Sequence, residues 1–373
     1  MPVLAWSLST WVILLLATFL VSAVVCWLAI HYANRRQLID RPGHRRSHVV
    51  PTPRGGGIGI VVAVLAGLLM AMLGIPESAT GWLGREELAL LSLCGGVLIV
   101  AAVGWLDDHR SLGAGIRLCA HVLAVVVSLL PILLIDVPSL SGNPVLPWVL
   151  AALALACIAA VWSINLHNFM DGINGLLACQ VVFVFVALSV VCSRSGHAVE
   201  AQHMGLFAAA TLGFLPFNFP RARVFMGDVG SGSLGLLVAA SIGWQMAAMP
   251  NLVYAGLIAC SGFVVDASAT LLSRMLGGRR WYSAHREHLY QWLVRSGMSH
   301  AKVVALYMTW NLLIVTPALL LAAIEADDLP TTGALAAAGA VQAGLVYALA
   351  LLVWVFGKQY CLRAVGRSRK RAA

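Results

Sequence analysis

Long apolar stretches separated by short polar segments dominate this sequence. A helix needs about 20 apolar residues to cross the hydrocarbon layer of a membrane. The pattern predicts about eleven such helices, at approximately residues 8–31, 56–74, 88–106, 116–135, 146–165, 176–193, 204–219, 231–248, 251–272, 300–323 and 333–356. We therefore expect an all-α fold, a polytopic helical bundle embedded in a membrane. No long linker or soluble domain interrupts the pattern, so residues 1–373 form a single transmembrane domain.

The composition excludes an ordinary soluble protein. Of the 373 residues, 60% are hydrophobic and only 10% are charged, whereas soluble domains are about 25% charged. The net charge of +9 could suggest a nucleic-acid partner, but the basic residues lie between hydrophobic stretches. That arrangement indicates membrane orientation and contact with anionic lipids or phosphates. We expect inner-membrane lipids around the protein and no nucleic acid.

The basic residues also predict an orientation. If the segment 32–55 is cytoplasmic and the spans alternate from there, all of the 24 Lys and Arg except Arg85 and Arg194 lie in cytoplasmic segments. Positive loops stay in the cytoplasm. The N-terminus is then outside, and residues 357–373 form a basic cytoplasmic tail. The motif-like polar clusters fall on the same side, so we expect the active site on the cytoplasmic face of a bacterial inner membrane.

Two adjacent carboxylates, Asp107 and Asp108, end the third apolar stretch in Gly-Trp-Leu-Asp-Asp. Like charges about 4 Å apart repel by about 4 kcal/mol at an effective dielectric of about 20, so a divalent cation or a proton must relieve them. Mg²⁺ suits one or two carboxylates plus substrate phosphates. A plain helix end with solvated charges would explain an isolated pair equally well. Arg117 follows within the same polar segment.

The loop after the fifth stretch reads Asn-Leu-His-Asn-Phe-Met-Asp-Gly-Ile-Asn-Gly over residues 165–175. Asn168, Asp171 and Asn174 supply donors and acceptors for a nucleotide or a metal, and the glycines allow close approach of a ligand. A simple turn favours the same residue types. Both interpretations stay open for this loop taken alone.

The segment 217–232 carries the most information. Its Gly-Asp-Val-Gly-Ser-Gly opens a helix, where backbone N–H groups can meet phosphate oxygens, and Asp228 could hold a metal beside them. Asn218 and Phe225 offer an amide and a stacking face for a base. An N-cap would explain Asp228 alone, but not the preceding Asn, Arg and Phe.

Two further loops are basic. The segment 278–291 combines His285, Arg286 and His288 with aromatic residues, and such a loop can grip a diphosphate and a sugar. Orientation by positive charge suffices to explain Arg279 and Arg280. The first loop ends in Pro-Thr-Pro-Arg-Gly-Gly-Gly, where Thr52 and Arg54 suit recognition of an anion at the membrane surface.

In this order, the motifs PTPRGGG, GWLDD, NFMDGINGL, FMGDVGSGSLG and HREHLYQ resemble those of the polyprenyl-phosphate N-acetylhexosamine-1-phosphate transferases of glycosyltransferase family 4. The resemblance extends from about Asp40 to Gln291. The HREHLYQ loop is similar to that of the branch that starts O-antigen and related polysaccharides. The branch of phospho-MurNAc-pentapeptide translocase would instead have three histidines followed by an acid.

The resemblance implies roles for individual residues. Asp228 corresponds to the Mg²⁺ ligand, Asp107 and Asp108 to the pair that handles the lipid phosphate in catalysis, and Asp171 to the Asp of the third motif. Asn218 and Phe225 correspond to uridine contacts. The expected substrate-binding set is Asn168, Asn174, Asn218, Phe225, His285, Arg286, His288, Arg117, Thr52 and Arg54. This chain departs from the family at Asn174, where Asp is common, and at His121, where a Gln is frequent.

The resemblance thus implies transfer of an N-acetylhexosamine-1-phosphate from a UDP-sugar to undecaprenyl phosphate, with release of UMP. The expected cofactor is Mg²⁺, with Mn²⁺ as an alternative, and a homodimer is a further expectation. The alternatives are a step like that of phospho-MurNAc-pentapeptide translocase in peptidoglycan synthesis, or a lipid or solute transporter. A transporter would carry charged residues in broken helices at mid-membrane, whereas the acids here gather near one face.

Overall fold

The computed structural model describes residues 7–41, 50–73, 84–248, 253–279, 285–328 and 332–372. Several predicted features lie outside these residues: the span ends at 74 and 251–252 and the basic residues Arg45, Arg46 and Arg280.

The described chain is helical over most of its length, which confirms the predicted all-α class. Its helices are α1 (Leu8–Arg36), α2 (Ile58–Met72), α3 (Arg85–His109), α4 (Ala114–Ser128), α5 (Val137–Ser139), α6 (Leu146–Met170), α7 (Leu176–Arg194), α8 (Ala198–Asn218), α9 (Gly227–Ala248), α10 (Val253–Ala259), α11 (Ser261–Leu276), α12 (Leu289–Arg295), α13 (His300–Trp310), α14 (Thr316–Asp328) and α15 (Thr332–Ala372). Two π-helical segments, Ile132–Asp136 and Asn311–Val315, precede α5 and α14. The short strands β1 (Ile39–Asp40) and β2 (Thr52–Pro53) pair antiparallel, with Asp40 opposite Thr52.

The number of membrane crossings is confirmed only in part. Among the described residues, six helices are long and apolar enough to span a membrane, or eight segments if each of two bent pairs counts as one. The pairs bend by 55° after Ser128, where Pro131 interrupts the backbone ladder, and by 67° after Ala259. The predicted segments 56–74, 204–219 and 231–248 correspond to the short α2 and to α8 and α9, which are not among those six helices. Eleven spans and the orientation of the termini remain predictions.

The distribution of apolar side chains explains why these helices need lipid. On α1, large apolar residues such as Leu8, Ile13 and Leu16 are more than half exposed. Soluble proteins rarely expose apolar surface on this scale. The interior is filled by other side chains of α7 and α8, where Phe185 and Phe207 meet edge to face with ring centroids 5.3 Å apart. Both faces are therefore apolar, one toward lipid and one toward neighbouring helices.

Polar residues concentrate at one end of the bundle, which we call the site end. Here α3, α6 and α8 finish, and α4, α7 and α9 begin. The ribbon of β1 and β2 joins the same end, because the backbone of Phe225 donates to the carbonyl of Pro53 at 2.8 Å. Residues that are far apart in the chain therefore meet at the site end.

Candidate active site

Four carboxylates and two guanidinium groups come together at the site end. Asp107 and Asp108 end α3, Asp171 follows α6, and Asp228 lies in the first turn of α9. The carboxyls of Asp107 and Asp228 are within hydrogen-bonding distance of each other. Asp171 lies close enough to Asp108 and Asp228 for their negative charges to raise its pKa. We call these four residues the acidic cluster. The structure thus brings together the carboxylates that the sequence distributed over three motifs.

Glycines bring α3 and α9 close enough to form the acidic cluster. A Cβ atom built on Gly104 of α3 would lie 2.5 Å from the carbonyl carbon of Asp228. Gly227 has φ +75, a left-handed conformation that favours glycine, and a Cβ there would collide with the Asp108 carboxylate. Any larger residue at either position would separate Asp108 from Asp228.

Arg54 and Arg117 partly balance the acidic cluster. Arg54 Nε lies 3.3 Å from Asp108 Oδ1. Arg117 Nη1 lies 3.2 Å from Asp107 Oδ2 and 3.6 Å from Asp228 Oδ2. The side chains of both arginines remain 37% exposed, while the side chain of Asp108 is only 5% exposed. Both arginines can therefore face a substrate phosphate while they hold the carboxylates in place.

The acidic cluster suits a divalent cation shared with a substrate. Asp108 Oδ2 is buried without a hydrogen-bond partner, and the backbone N–H of Asp228 lies 3.4 Å from the other oxygen of the same carboxylate. Across the described ranges, no group of three or more His, Cys, Asp or Glu side chains is placed to hold a metal alone. Mg²⁺ commonly takes one or two carboxylates and completes its shell with substrate phosphates and water. The residues present fit that mode of binding.

The segment 165–175, predicted as a loop, is helical as far as Met170, where α6 ends, so only residues 171–175 form a loop. Asn168, in the last turn of α6, and Asp171, directly after the helix, connect this segment to the acidic cluster. The Asn168 side chain is hydrogen-bonded to Asp228. Burial, together with the neighbouring carboxylates of Asp228 and Asp108, raises the pKa of Asp171 well above its usual range. A carboxyl in this environment keeps its proton more readily than the others in the cluster. The end of α6 and the residue after it therefore supply one amide and one carboxyl to the same small volume.

The residues expected to contact uridine hold the loops of the site end together. The Asn218 side chain is buried, accepts from Gly175 N at 2.7 Å and donates to the Val224 carbonyl at 2.9 Å. Phe225 is half-buried, and its carbonyl accepts from Gly56 N at 2.9 Å. Asn218 thus has a clear structural role, and the uridine contact remains a prediction for both residues.

Asn174 and Thr52 also bond within the protein. Asn174 Nδ2 donates to the Pro220 carbonyl at 3.4 Å, and Thr52 Oγ1 donates to the Val50 carbonyl at 3.0 Å. Thr52 is buried, whereas Asn174 is half-buried. Of these two predicted substrate contacts, Asn174 is the better exposed to a ligand.

His285, Arg286 and His288 form a second group beside the acidic cluster. The rings of His285 and His288 have centroids 4.9 Å apart, and His288 stacks on Phe169 at 6.2 Å. Burial lowers the pKa of His285 to about 4, and it lowers that of His288 against the opposing effect of Asp266. Both imidazoles are therefore neutral at physiological pH. The stack on Phe169 connects this group to the residue that follows Asn168.

The sequence interpretation assigned no role to Asp266, Tyr290 and Glu287. Asp266 is buried within α11, and Glu287 pairs with Arg274 and with Arg279, the latter at 2.9 Å. An acid inside an apolar helix is a functional candidate by default, and that signal could have selected Asp266.

His121, the position where the related sequences often have Gln, is buried, and its Nδ1 lies 3.3 Å from Asn165 Nδ2.

Similarity to known proteins agrees with this geometry. The sequence model of glycosyl transferase family 4 matches residues 90–244, a range that contains all four residues of the acidic cluster. Over this range, which is less than half of the chain, the protein is similar to glycosyl transferase family 4. With its apolar helices, it is a multi-pass integral membrane protein.

Relatives from several bacteria are similar along most of the chain. The decaprenyl-phosphate N-acetylglucosaminephosphotransferase of Mycobacterium leprae is 28% identical, over 74% of this chain and 75% of its own length. The undecaprenyl-phosphate alpha-N-acetylglucosaminyl 1-phosphate transferase of Yersinia pestis is 28% identical, over 78% and 79%. The phospho-N-acetylmuramoyl-pentapeptide-transferase of Orientia tsutsugamushi is 24% identical, over 76% and 84%.

Proposed function

We propose that this protein transfers an N-acetylhexosamine-1-phosphate from a UDP-sugar to undecaprenyl phosphate and releases UMP. The reaction takes place on the cytoplasmic face of the bacterial inner membrane. It is the first membrane step in the synthesis of O-antigen or a related surface polysaccharide. The observation that carries the proposal is the acidic cluster, bordered by Arg54 and Arg117 at the end of lipid-embedded helices. The names of the relatives from Mycobacterium leprae and Yersinia pestis support the same reaction.

In this reaction an oxygen of the lipid phosphate attacks the β-phosphorus of the UDP-sugar. A new P–O bond joins the two phosphates, the bond between the β-phosphorus and the bridging oxygen breaks, and UMP leaves with that oxygen. Asp107 or Asp108 accepts the remaining proton of the attacking phosphate. Arg54 and Arg117 face the phosphates, and their exposed guanidinium groups stabilise the negative charge that develops there. A one-step route needs no covalent enzyme intermediate.

A divalent cation, Mg²⁺ or Mn²⁺, would be held by Asp228 with Asp108 beside it. When bound, it supplies positive charge to the diphosphate and to the leaving UMP. Even when Asp171 keeps its proton, Asp107, Asp108 and Asp228 outnumber Arg54 and Arg117, and that imbalance supports a requirement for a cation. Asn168 donates to the Asp228 carboxylate and keeps it oriented.

The donor would lie across the loops of the site end. Phe225 is suited to the uracil ring, and Asn218, whose amide bonds to Gly175 and Val224, would hold the loops beside it. His285, Arg286 and His288 are suited to the sugar and its phosphate. The two imidazoles are neutral, so they can both donate and accept hydrogen bonds with sugar hydroxyls. Arg286 supplies a positive charge that neither imidazole provides.

The phospho-MurNAc-pentapeptide translocase reaction has weaker support. The relative that carries this name is 24% identical, and residues 285–288 read His-Arg-Glu-His where three consecutive histidines would be expected. A transporter is disfavoured because the acidic cluster lies at the ends of α3 and α6 and not at their centres.

The test is release of UMP by the purified protein in detergent, with undecaprenyl phosphate and a panel of UDP-sugars. The panel contains UDP-GlcNAc, UDP-activated 6-deoxy-N-acetylhexosamines and UDP-MurNAc-pentapeptide. We expect one N-acetylhexosamine donor to release UMP only when the lipid and Mg²⁺ are both present, and EDTA to stop the reaction. Turnover of UDP-MurNAc-pentapeptide alone would favour the peptidoglycan step. The absence of UMP with every donor would refute the proposed reaction.

A further inference from the structure

Asp266 joins four helices through a single buried carboxylate. It lies on α11 and is 2% exposed. Tyr307 Oη of α13 donates to it at 2.6 Å, and Trp354 Nε1 of α15 donates at 3.2 Å. A buried charge is costly unless it is hydrogen-bonded, and here several donors surround it. The carboxylate therefore fixes where these helices meet.

Thr270 Oγ1 of the same helix also donates to Asp266, at 3.4 Å, and two further donors belong to the first turn of α12. Leu289 N donates to it at 2.6 Å and Tyr290 N at 3.3 Å. The first N–H groups of a helix have no partner within the helix, and they favour a negative charge. Asp266 supplies that acceptor and charge from a different helix. It thereby sets the position of α12, a short helix with only 7 residues.

Tyr290 transmits the position of α12 to residues 165–175, which comprise the end of α6 and the loop that follows it; below, the loop means this segment. Its hydroxyl donates to the Phe169 carbonyl at 2.9 Å. Its ring is fully buried and lies directly over Gly172, where an added Cβ would collide with the Tyr290 hydroxyl. Phe169 lies between Asn168 and Asp171, so these contacts bracket the part of the loop that reaches the acidic cluster.

We propose that Asp266 and Tyr290 are positioning residues that hold Asn168 and Asp171 at the acidic cluster. Asp266 anchors the N-terminus of α12, and Tyr290 secures the loop through the Phe169 carbonyl and Gly172. The effect on catalysis rests on the proposed transferase function. The mechanical link does not, because it is defined by contacts between α11, α12 and the loop.

The chain contains a matched control for this link. Tyr347 Oη also donates to a backbone carbonyl at 2.9 Å, that of Leu257, and it joins α15 to α10. Neither residue belongs to the acidic cluster or to the loops around it. Tyr290→Phe and Tyr347→Phe therefore remove the same kind of hydrogen bond, and only the first touches the site.

The experiment measures hydrogen–deuterium exchange and steady-state kinetics on both variants in detergent. We expect Tyr290→Phe to increase exchange in peptides that cover residues 166–175, and to lower kcat about tenfold with the KM for the UDP-sugar within about twofold. Tyr347→Phe should leave the exchange in residues 166–175 and kcat unchanged. A loss of stability alone would reduce the amount of folded enzyme without a selective change in the loop.

A double-mutant cycle with Gly172→Ala adds a second arm. If the Tyr290 hydroxyl and Gly172 act on the same loop, their effects on exchange in residues 166–175 are not additive. Additive effects, or equal loop exchange in Tyr290→Phe and Tyr347→Phe, overturn the inference. If loop exchange changes in Tyr290→Phe and not in Tyr347→Phe, but the wild-type protein releases no UMP, the positioning of the loop by Asp266 and Tyr290 is supported and the proposed transferase function is wrong.

Discussion

Replacement of Asp228 by Asn separates two effects of the acidic cluster: the repulsion that destabilises the metal-free protein and the binding of a divalent cation. Asp228 Oδ2 lies 3.6 Å from Arg117 Nη1, within bonding distance of Asp107 and beside Asp108. Like charges about 4 Å apart repel by about 4 kcal/mol at an effective dielectric of about 20. Asparagine keeps the size and removes the charge. In the absence of metal, Asp228→Asn should therefore be at least as stable as the wild type.

The same change should abolish the response to a cation. A ligand present at 100 times its dissociation constant stabilises the folded protein by about 2.7 kcal/mol. We expect Mg²⁺ to raise the Tm of the wild type in detergent, and to leave the Tm of Asp228→Asn nearly unchanged. UMP release should fall by more than tenfold, equivalent to about 1.4 kcal/mol of activation free energy.

The assay pairs thermal denaturation in EDTA and in Mg²⁺ with UMP release at saturating substrates. Asp136→Asn is a suitable control, because Asp136 pairs with Arg85 at 2.8 Å and belongs to no site loop. If Asp228→Asn keeps more than about a tenth of the wild-type rate, or if Mg²⁺ stabilises it as much as the wild type, the assignment of Asp228 is wrong.

Three further predictions concern the orientation of the protein in the membrane, the residues that contact the sugar and the base, and the pH dependence of stability. Reporter fusions should locate the C-terminus and Arg279 in the cytoplasm, and a fusion that locates Arg279 outside would contradict the orientation. His285→Ala or His288→Ala should weaken UDP-sugar turnover but spare inhibition by UMP, whereas Phe225→Ala should weaken both; equal rises in the UMP inhibition constant would contradict this division. Because burial lowers the pKa of His285 to about 4 from an unfolded value near 6.5, the unfolded state binds a proton first, so stability should fall as pH decreases from about 6.5 toward 4. Thermal denaturation across that pH range should show a smaller loss of stability for His285→Gln than for the wild type. Identical pH profiles of stability for the two proteins would refute the lowered pKa of His285.

Several predicted site residues proved to have structural partners that spacing could not reveal. Arg54 was predicted to bind substrate from a surface loop, and the structure pairs it with Asp108. The pairing depends on Gly56 and Gly57, whose N–H groups donate to the carbonyls of Phe225 and Met226. A glycine-rich loop signals close approach, but the sequence does not say which backbone it will approach.

Asp266 illustrates a different limit. It lies on an apolar helix among residues that pattern analysis assigns to the membrane interior, and its role depends on donors from α12, α13 and α15. The bends after Ser128 and Ala259 were also missed, because averaging over about 20 residues smooths a local break in a helix. Among the described residues, six helices, or eight segments if each bent pair counts as one, are long and apolar enough to cross a membrane, and eleven spans stay a prediction.

Hydropathy and the ordered motifs were sufficient to predict an all-helical membrane protein and to locate the residues with chemistry near one face. Solvation by lipid acts on each segment nearly independently, so local sequence carries that information. The acidic cluster itself depends on Gly104 against Asp228 and on Arg117 between Asp107 and Asp228. The contacts of Gly104 and Arg117 with Asp228 join residues more than 100 positions apart in the chain. They exist only after the helices pack, because their distances are set by interhelical contact and not by any local pattern.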